Sequence, residues 1–310
     1  MYAQGRDPVP GRICELSRVI VECVPNFSEG RRTAIIRRIA DAIQATAGVA
    51  LLDTTMDADH HRSVLTFAGT RAGVLVAAVA ATREAVQTID LTSHSGVHPR
   101  VGAADVIPFV PVQGITLEEC GALANEAATR LWEELEIPVY LYGAAALNPD
   151  RIDLAGVRRS ISQNPAFRPD IGGPEHHPTA GASIVGAREF LIALNIDLDS
   201  TDIGAARSIA LAVRESNGGL PAVKALGLWL ASRGRVQVSM NLTDYRATSP
   251  LQAFRAVQEE CAERGIEIAK SELIGLAPAA AIDEEIAREI RLTGFSPERV
   301  LENRLTSLRV

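Results

Sequence analysis

No run of eighteen apolar residues occurs anywhere in the 310 residues, so no membrane-spanning helix is expected. The N-terminal stretch MYAQGRDPVPGRICELSR lacks the apolar segment of a secretory signal and reads as a loose extension. Cysteines are few (Cys14, Cys23, Cys120 and Cys261), they are widely scattered, and no two stand as CxxC. A chain of this size needs no disulfide staples, so a reducing, cytoplasmic location is expected. Neither GxGxxG nor GxxxxGK[ST] occurs, which leaves nucleotide binding unsupported, and there is no GxSxG nucleophile elbow. A basic stripe is also missing. With 31 basic and 38 acidic residues the net charge is −7, so nucleic acid is not an expected partner. An anionic ligand would need a local positive pocket against that overall field.

What is present is a soluble globular composition, 47% hydrophobic and 22% charged, in a chain long enough for two domains. The hydrophobic periods alternate between strand and helix. Val19 to Val24 reads as a strand, Arg31 to Ala47 as a helix closed by Gly48, and Val49 to Asp53 and Arg62 to Ala68 as strands. Thr54 to His61 lies between those two strands as a polar loop. An alanine-rich helix follows over Ala72 to Val86, then a strand over Val106 to Val112. Thr116 with Glu119 makes a capping box for the next helix, and Ile137 to Tyr142 is a further strand. The second half repeats the order: strand Glu189 to Leu198, helix Ile203 to Arg214, a hairpin of Ala222 to Leu230 with Val236 to Leu242, a helix opened by Ser249 and Gln252, and strand Ile266 to Leu273. The expected fold is therefore α/β (α+β), with two related subdomains of β-α-β-β-α-β order whose sheets are covered by helices. The expected limits are 1–18 for the extension, 19–180 for the first subdomain and 181–310 for the second. A last helix is expected over Ala281 to Leu292, followed by a peripheral tail.

The most unusual stretch is Ile89 to Pro111, with two histidines, an arginine beside a proline, two glycines and an aspartate. Loops that present chemical groups from a rigid scaffold have this makeup. All six histidines lie outside predicted helices and strands, as His60-His61, His94 with His98, and His176-His177. Histidine near neutrality can serve as base, acid or ligand. Solvated loop histidines would look the same one at a time; three clusters together suggest a shared cleft. A three-histidine metal site backed by Asp57, Asp59 or Glu175 is one reading. In another, Pro99 stiffens the chain after His98, whose neutral imidazole acts as a base, while Arg100 or Arg62 holds a carboxylate. Asp105 either orients an imidazole or caps a turn. The residues alone leave His94 and His98 equal. Phe167 to Thr179, rich in proline and glycine, reads as a boundary loop in which Gly172-Gly173 lets a ligand approach the backbone. Cys23 falls in an apolar strand and reads as a buried, inert thiol.

Taken together, VECVPNFSEGR (21–31), DADHHRSVLTFAGT (57–70), SHSGVHPRVGAADVIPFVPV (93–112), PVYLYGAAA (138–146), GASIVGAREFLIALNIDL (181–198) and QVSMNLTDY (237–245) resemble glutamate formimidoyltransferase. The resemblance runs from about Val19 to Leu276. It implies two α/β subdomains with a folate tunnel between them, a homodimer, and transfer of a formimino group between N5 of tetrahydrofolate and glutamate in histidine breakdown. It implies 5-formiminotetrahydrofolate as co-substrate and no metal. It makes His98, in the HPR motif, the catalytic residue. The folate loop becomes Gly172, Gly173, Pro174, Glu175, His176, His177, Pro178, Thr179, Ala180 and Gly181. Asn26, Arg62, His94 and Arg100 are the expected further substrate contacts. A cyclodeaminase activity is not implied. The chain departs from the pattern at His61, where many members have Asn, and at Thr55, where many have an acidic residue. In the folate loop it keeps little more than the glycines and Pro178. The alternatives are a metal-dependent amidohydrolase built on the histidine clusters, a folate-binding protein without activity, and formyl rather than formimino transfer on the same scaffold.

Overall fold

The computed structural model describes residues 19–96 and 100–307. Strands β1 (Ile20–Cys23) and β2 (Asn26–Phe27) are two pieces of one strand. Pro25 divides them because it has no N–H to give a neighbour. Helix α1 (Thr33–Gln44) buries Ile36, Ile39 and Ile43. The hairpin β3 (Val49–Asp57) and β4 (Arg62–Gly69) follows, then α2 (Arg71–Thr88) and β5 (Ala104–Gln113). β1 and β2 both lie between β4 and β5, antiparallel to each, and β3 pairs with the far side of β4. This is the split βαβ arrangement. Then α3 (Leu117–Leu135), β6 (Val139–Gly143), α4 (Leu154–Gln163) and β7 (Ser183–Ala187) extend the sheet. β7 enters between β5 and β6, parallel to both.

The second sheet repeats the plan. Strand β8 (Ile192–Leu198), α5 (Ile203–Val213), β9 (Val223–Leu230), β10 (Arg235–Leu242), α6 (Pro250–Glu263) and β11 (Ile268–Ile274) give the antiparallel order β11-β8-β10-β9. Helices α7 (Glu284–Glu289) and α8 (Leu301–Ser307) close the chain. Both expected capping boxes form, Thr116 with Glu119 and Ser249 with Gln252. Each sheet buries one face under its helices. Small side chains on α2 (Ala77, Ala78, Ala81, Ala85) let it sit close against the first sheet, and α5 and α6 cover the second.

Over β5, β6 and β7 the other face of the first sheet is apolar and covered by α4, through Val106, Tyr140, Tyr142 and Ile184 against Val157. The rest of that face, over β1, β2 and β4, and the uncovered face of the second sheet carry buried polar residues. On β8 and β10, Asn195, Asp197 and Gln237 alternate with core residues yet are buried. On the first sheet Glu22, Asn26 and Thr66 share the face opposite the helices. A side-chain carbon added at Gly275, beyond β11, would stand 3.5 Å from Thr66 Oγ1. The lobes are also tied by charge. Arg233, at the β9–β10 turn, reaches Asp57 at 3.3 Å as well as Asp197 and Glu272 at 2.9 Å each. Ser232 N–H donates to Asp59 at 3.0 Å.

Four expectations change. The polar loop Thr54 to His61 is shorter, because cross-strand pairing carries β3 on to Asp57 opposite Arg62. The division at 180/181 is displaced: β7 pairs inside the first sheet, so the change of sheet falls between Ala187 and Ile192. The helix expected over Ala281 to Leu292 spans only Glu284–Glu289, and α8 follows it. The tail is not peripheral. Leu301 packs with Leu52 and Ala68, Arg299 pairs with Asp53 at 3.3 Å, and Arg304 donates to the Leu52 carbonyl. The extension 1–18 lies outside the described residues.

Candidate active site

Three connections meet at one edge of the first sheet: the turn after β2, the β3–β4 turn and the segment between α2 and β5. Gly30 decides how close they come. A side-chain carbon there would lie 2.1 Å from the Asp57 carbonyl and 2.5 Å from Arg62 N, so only glycine lets the hairpin turn seat. Ser28 anchors the third segment, through Oγ to the Gly102 carbonyl at 2.7 Å and through its N–H to Ala103 at 2.9 Å. Glu29 accepts the N–H groups of Arg31 and Arg32 at the start of α1, at 2.8 and 2.9 Å. The PNFSEG turn is thus a clamp for its neighbours. His61 has φ +48°, a left-handed conformation that Asn and His tolerate better than most residues.

The histidine clusters only partly converge. His61 and His94 meet, with ring centroids 3.9 Å apart. His61 Nδ1 accepts Gly30 N–H at 3.2 Å. Burial, then the charge of Arg31, lowers its pKa against the opposing pull of Glu29, which keeps it neutral. His60 turns to Asp57, Nδ1 to Oδ1 at 2.9 Å, with its N–H on the same oxygen at 2.7 Å. Burial would raise the Asp57 carboxyl, but the His60 hydrogen bonds and the Arg233 charge outweigh it and hold the pKa at about 2. His176 and His177 are engaged elsewhere. His176 Nε2 is 2.9 Å from Tyr140 Oη, and His177 Nδ1 accepts the N–H of Ala180 at 3.0 Å. Among the described residues no three His, Cys, Asp or Glu side chains are grouped to hold a metal. His98, with Val97 and Pro99, lies outside the described residues.

The arginines gather around Asp105, which is completely buried. One carboxylate oxygen accepts Val101 N–H at 2.6 Å and the other takes both Arg62 and Arg158. Burial acts to raise Asp105, but Arg158 and Arg62 win and lower it. Asp105 therefore holds the turn at 101–102, and gathers guanidinium groups. Arg62 was expected to be a ligand clamp; it is committed to Asp105. Burial pushes its pKa down to about 10, with Arg158 and Arg100 adding to the effect. Arg100 donates to the Gly96 carbonyl at 2.8 Å, and its Nη1 stands 3.4 Å from His94 Nε2. Asn26 donates to the Val24 carbonyl at 3.0 Å from the face turned to the second lobe. Arg158 and the Arg233–Asp57 pair were missed from sequence. Arg158 sits in a helical VRRSIS run that reads as a solvated face, and its partner is 53 residues away.

The segment 172–181 runs alongside. Thr179 accepts Leu91 N–H and Ala180 accepts Ala103 N–H, both at 2.8 Å, and Gly181 bridges to Gly102. His177 and Gly181 exchange two backbone hydrogen bonds of 2.9 Å. A side-chain carbon at Gly172 would meet the Trp132 ring at 2.7 Å and one at Gly173 would stand 3.6 Å from it, so these glycines let the loop lie close against α3. Pro174, Glu175, His176 and Pro178 are exposed.

A model of the N-terminal subdomain of the formiminotransferase domain matches residues 20–188, and a formiminotransferase domain model matches residues 193–294. The chain belongs to the formiminotransferase family. It is 43% identical over 295 residues to the glutamate formimidoyltransferase of Thermoplasma acidophilum, covering 92% of this chain and 97% of that one. Identity is 40% over 294 residues to the glutamate formimidoyltransferase of Streptococcus pyogenes serotype M1, at 92% and 98%. Against the formimidoyltransferase-cyclodeaminase of Mus musculus it is 41% over 276 residues, covering 85% of this chain but 51% of that protein. The gap between the two formiminotransferase models coincides with the passage from β7 to β8, where one sheet ends and the other begins. Each model therefore matches one of the two sheets with its helices.

Proposed function

We propose that the chain transfers a formimino group between 5-formiminotetrahydrofolate and L-glutamate. The observation that supports this reading is the backbone pairing of Thr179, Ala180 and Gly181 with Leu91, Ala103 and Gly102, at the two ends of the segment between α2 and β5, which lays the proposed folate loop along that segment. The buried polar residues on the uncovered faces of the two sheets support a folate tunnel between them. Thr66 Oγ1 and Gln237 Oε1 on those surfaces are buried without hydrogen-bond partners, and such groups are retained where a ligand satisfies them.

Glutamate arrives with a protonated α-amine that cannot attack. Neutral His98 takes one of its protons as general base. The freed amine adds to the amidine carbon of the folate, giving a tetrahedral carbon bonded to both nitrogens. The imidazolium then returns the proton to N5, the added nitrogen gives up its second proton to solvent, the C–N5 bond breaks, and tetrahydrofolate leaves with protonated formiminoglutamate as the other product. The protonated amidine is electrophilic in itself, and holding two substrates in register supplies much of the acceleration. Arg100 is the carboxylate contact. Arg62 acts through the positive field it shares with Arg158. The cytoplasmic homodimer expected of this family belongs to the same proposal.

The test is incubation with 5-formiminotetrahydrofolate, with and without glutamate, following tetrahydrofolate release. Release that requires glutamate is expected. His98→Ala should lower turnover by about 10²–10⁴-fold while the fold survives. Near-full activity in that variant would remove His98 from the role, and glutamate-independent release would indicate hydrolysis.

A further inference from the structure

His94 holds an unusual position among the site's side chains. Arg100 Nη1 lies 3.4 Å from its Nε2. A guanidinium has donors and no acceptor, so Nε2 must present its lone pair. The neutral ring then carries its proton on Nδ1, and a second proton on Nε2 would point at a cation. Nδ1 is buried and finds no hydrogen-bond partner. Leaving such a donor unsatisfied costs about 1–3 kcal/mol, which is a reason to look for what satisfies it. The ring cannot turn away easily. It packs at a tilt of 41° against the His61 ring, which Gly30 N–H holds, and the His94 backbone N–H is fixed on the Leu91 carbonyl at 3.2 Å.

This arrangement rules out two roles. His94 cannot serve as a base through Nε2, because Arg100 occupies that lone pair. It cannot serve as an acid through Nδ1, because a neutral ring giving up that proton becomes an imidazolate. What remains is a fixed N–H donor. Arg100 is in contact, and the Arg31 charge acts on both Arg100 and His61, while the buried Asp105 acts on Arg100 and Glu29 stands 3.7 Å from His61 Nδ1. An anionic oxygen is the acceptor that suits such a place.

We propose that His94 Nδ1–H donates a hydrogen bond to a carboxylate of the acceptor amino acid, fixing glutamate at the His61–His94 ring pair. The inference rests on the transferase reading above and assigns His94 a binding role that does not overlap with the base. Hydrogen bonds to charged groups contribute about 1.5–3 kcal/mol, or roughly 10- to 100-fold in affinity. His94→Asn keeps a donor near the Nδ1 position, His94→Gln moves it to the Nε2 position, and His94→Phe keeps only the ring. In steady-state assays with each substrate varied in turn, His94→Gln and His94→Phe should raise KM for glutamate by about 10- to 100-fold. Turnover and KM for the folate should stay within about threefold, and His94→Asn should retain near-normal KM for glutamate. The proposal is overturned if His94→Phe leaves KM for glutamate unchanged, if His94→Asn is as impaired as His94→Phe, or if the defect appears in turnover or in KM for the folate. Should His94→Phe fail to fold, the contrast between the Asn and Gln variants decides. A wild-type protein that does not transfer to glutamate at all would instead remove the transferase reading, so the two failures are distinguishable.

Discussion

Glu22 lies on β1 between Ala68 and Val110, on the face turned to the second lobe, and is 4% exposed. Burial raises its pKa from the ordinary 4.5 to about 7; Arg188 opposes the rise and Glu302 adds to it. The sign is the reverse of the usual carboxylate. Between pH 4.5 and 7 the folded chain holds a proton that the unfolded chain has lost, so stability falls as pH rises through that window and then levels off. A shift of about 2.5 units corresponds to about 3 kcal/mol. Replacing Glu22 by Gln keeps the shape and abolishes the titration. Any fixed effect of the amide is the same at every pH, so the informative quantity is the change with pH. Urea unfolding of both proteins at pH 5 and pH 8.5 should show the Gln variant gaining about 2–3 kcal/mol on the wild type between the two conditions. A difference between the proteins that is equal at both pH values would refute the burial argument.

Two further outcomes are expected. Asp105→Asn removes the buried carboxylate that Arg62 and Arg158 share and loosens the turn at Val101. It should cost about 3–5 kcal/mol in thermal or urea unfolding and lower kcat/KM by at least about 10²-fold. Gly30→Ala drives a carbon into the Asp57 carbonyl 2.1 Å away. The β3–β4 turn must then move, so hydrogen exchange should become faster at residues 57–62 and transfer activity should fall, while the second lobe keeps its protection.

Much of the architecture was legible because it is local. Alternation, helical stripes and capping boxes over 19–88 and 189–273 define the doubled β-α-β-β-α-β order, and each is a property of a few neighbouring residues. β7 was not legible as a member of the first sheet. SIVGA is five residues long, it follows a loop, and its partners in β5 and β6 are reached by parallel pairing across some forty to eighty positions. The docking of the tail failed for the same reason, since nothing near Leu301 announces Leu52. At the site, the motifs marked the right segments: the turn at 26–30, the histidines at 60–61, the stretch from 89 and the 172–181 loop do meet. The partners within them were not marked. The pairing of Arg62, read as an anion clamp, with Asp105 was not marked because the two are 43 residues apart, and the contact of Gly172 with Trp132 was not marked because it joins a loop to a helix some forty positions earlier.

The sequence by itself determined the family, the two lobes and the residues with chemistry to offer, since these rest on residue type and spacing along the chain. Only the tertiary structure decided how that chemistry is used. Which nitrogen of His94 carries the proton depends on Arg100 standing at Nε2. Whether Glu22 is charged depends on its burial and on Arg188 and Glu302. Which arginines can turn to a substrate depends on where Asp105 is buried. Protonation and pairing are set by dielectric surroundings and by neighbours far off in the chain, and neither exists until the chain has folded.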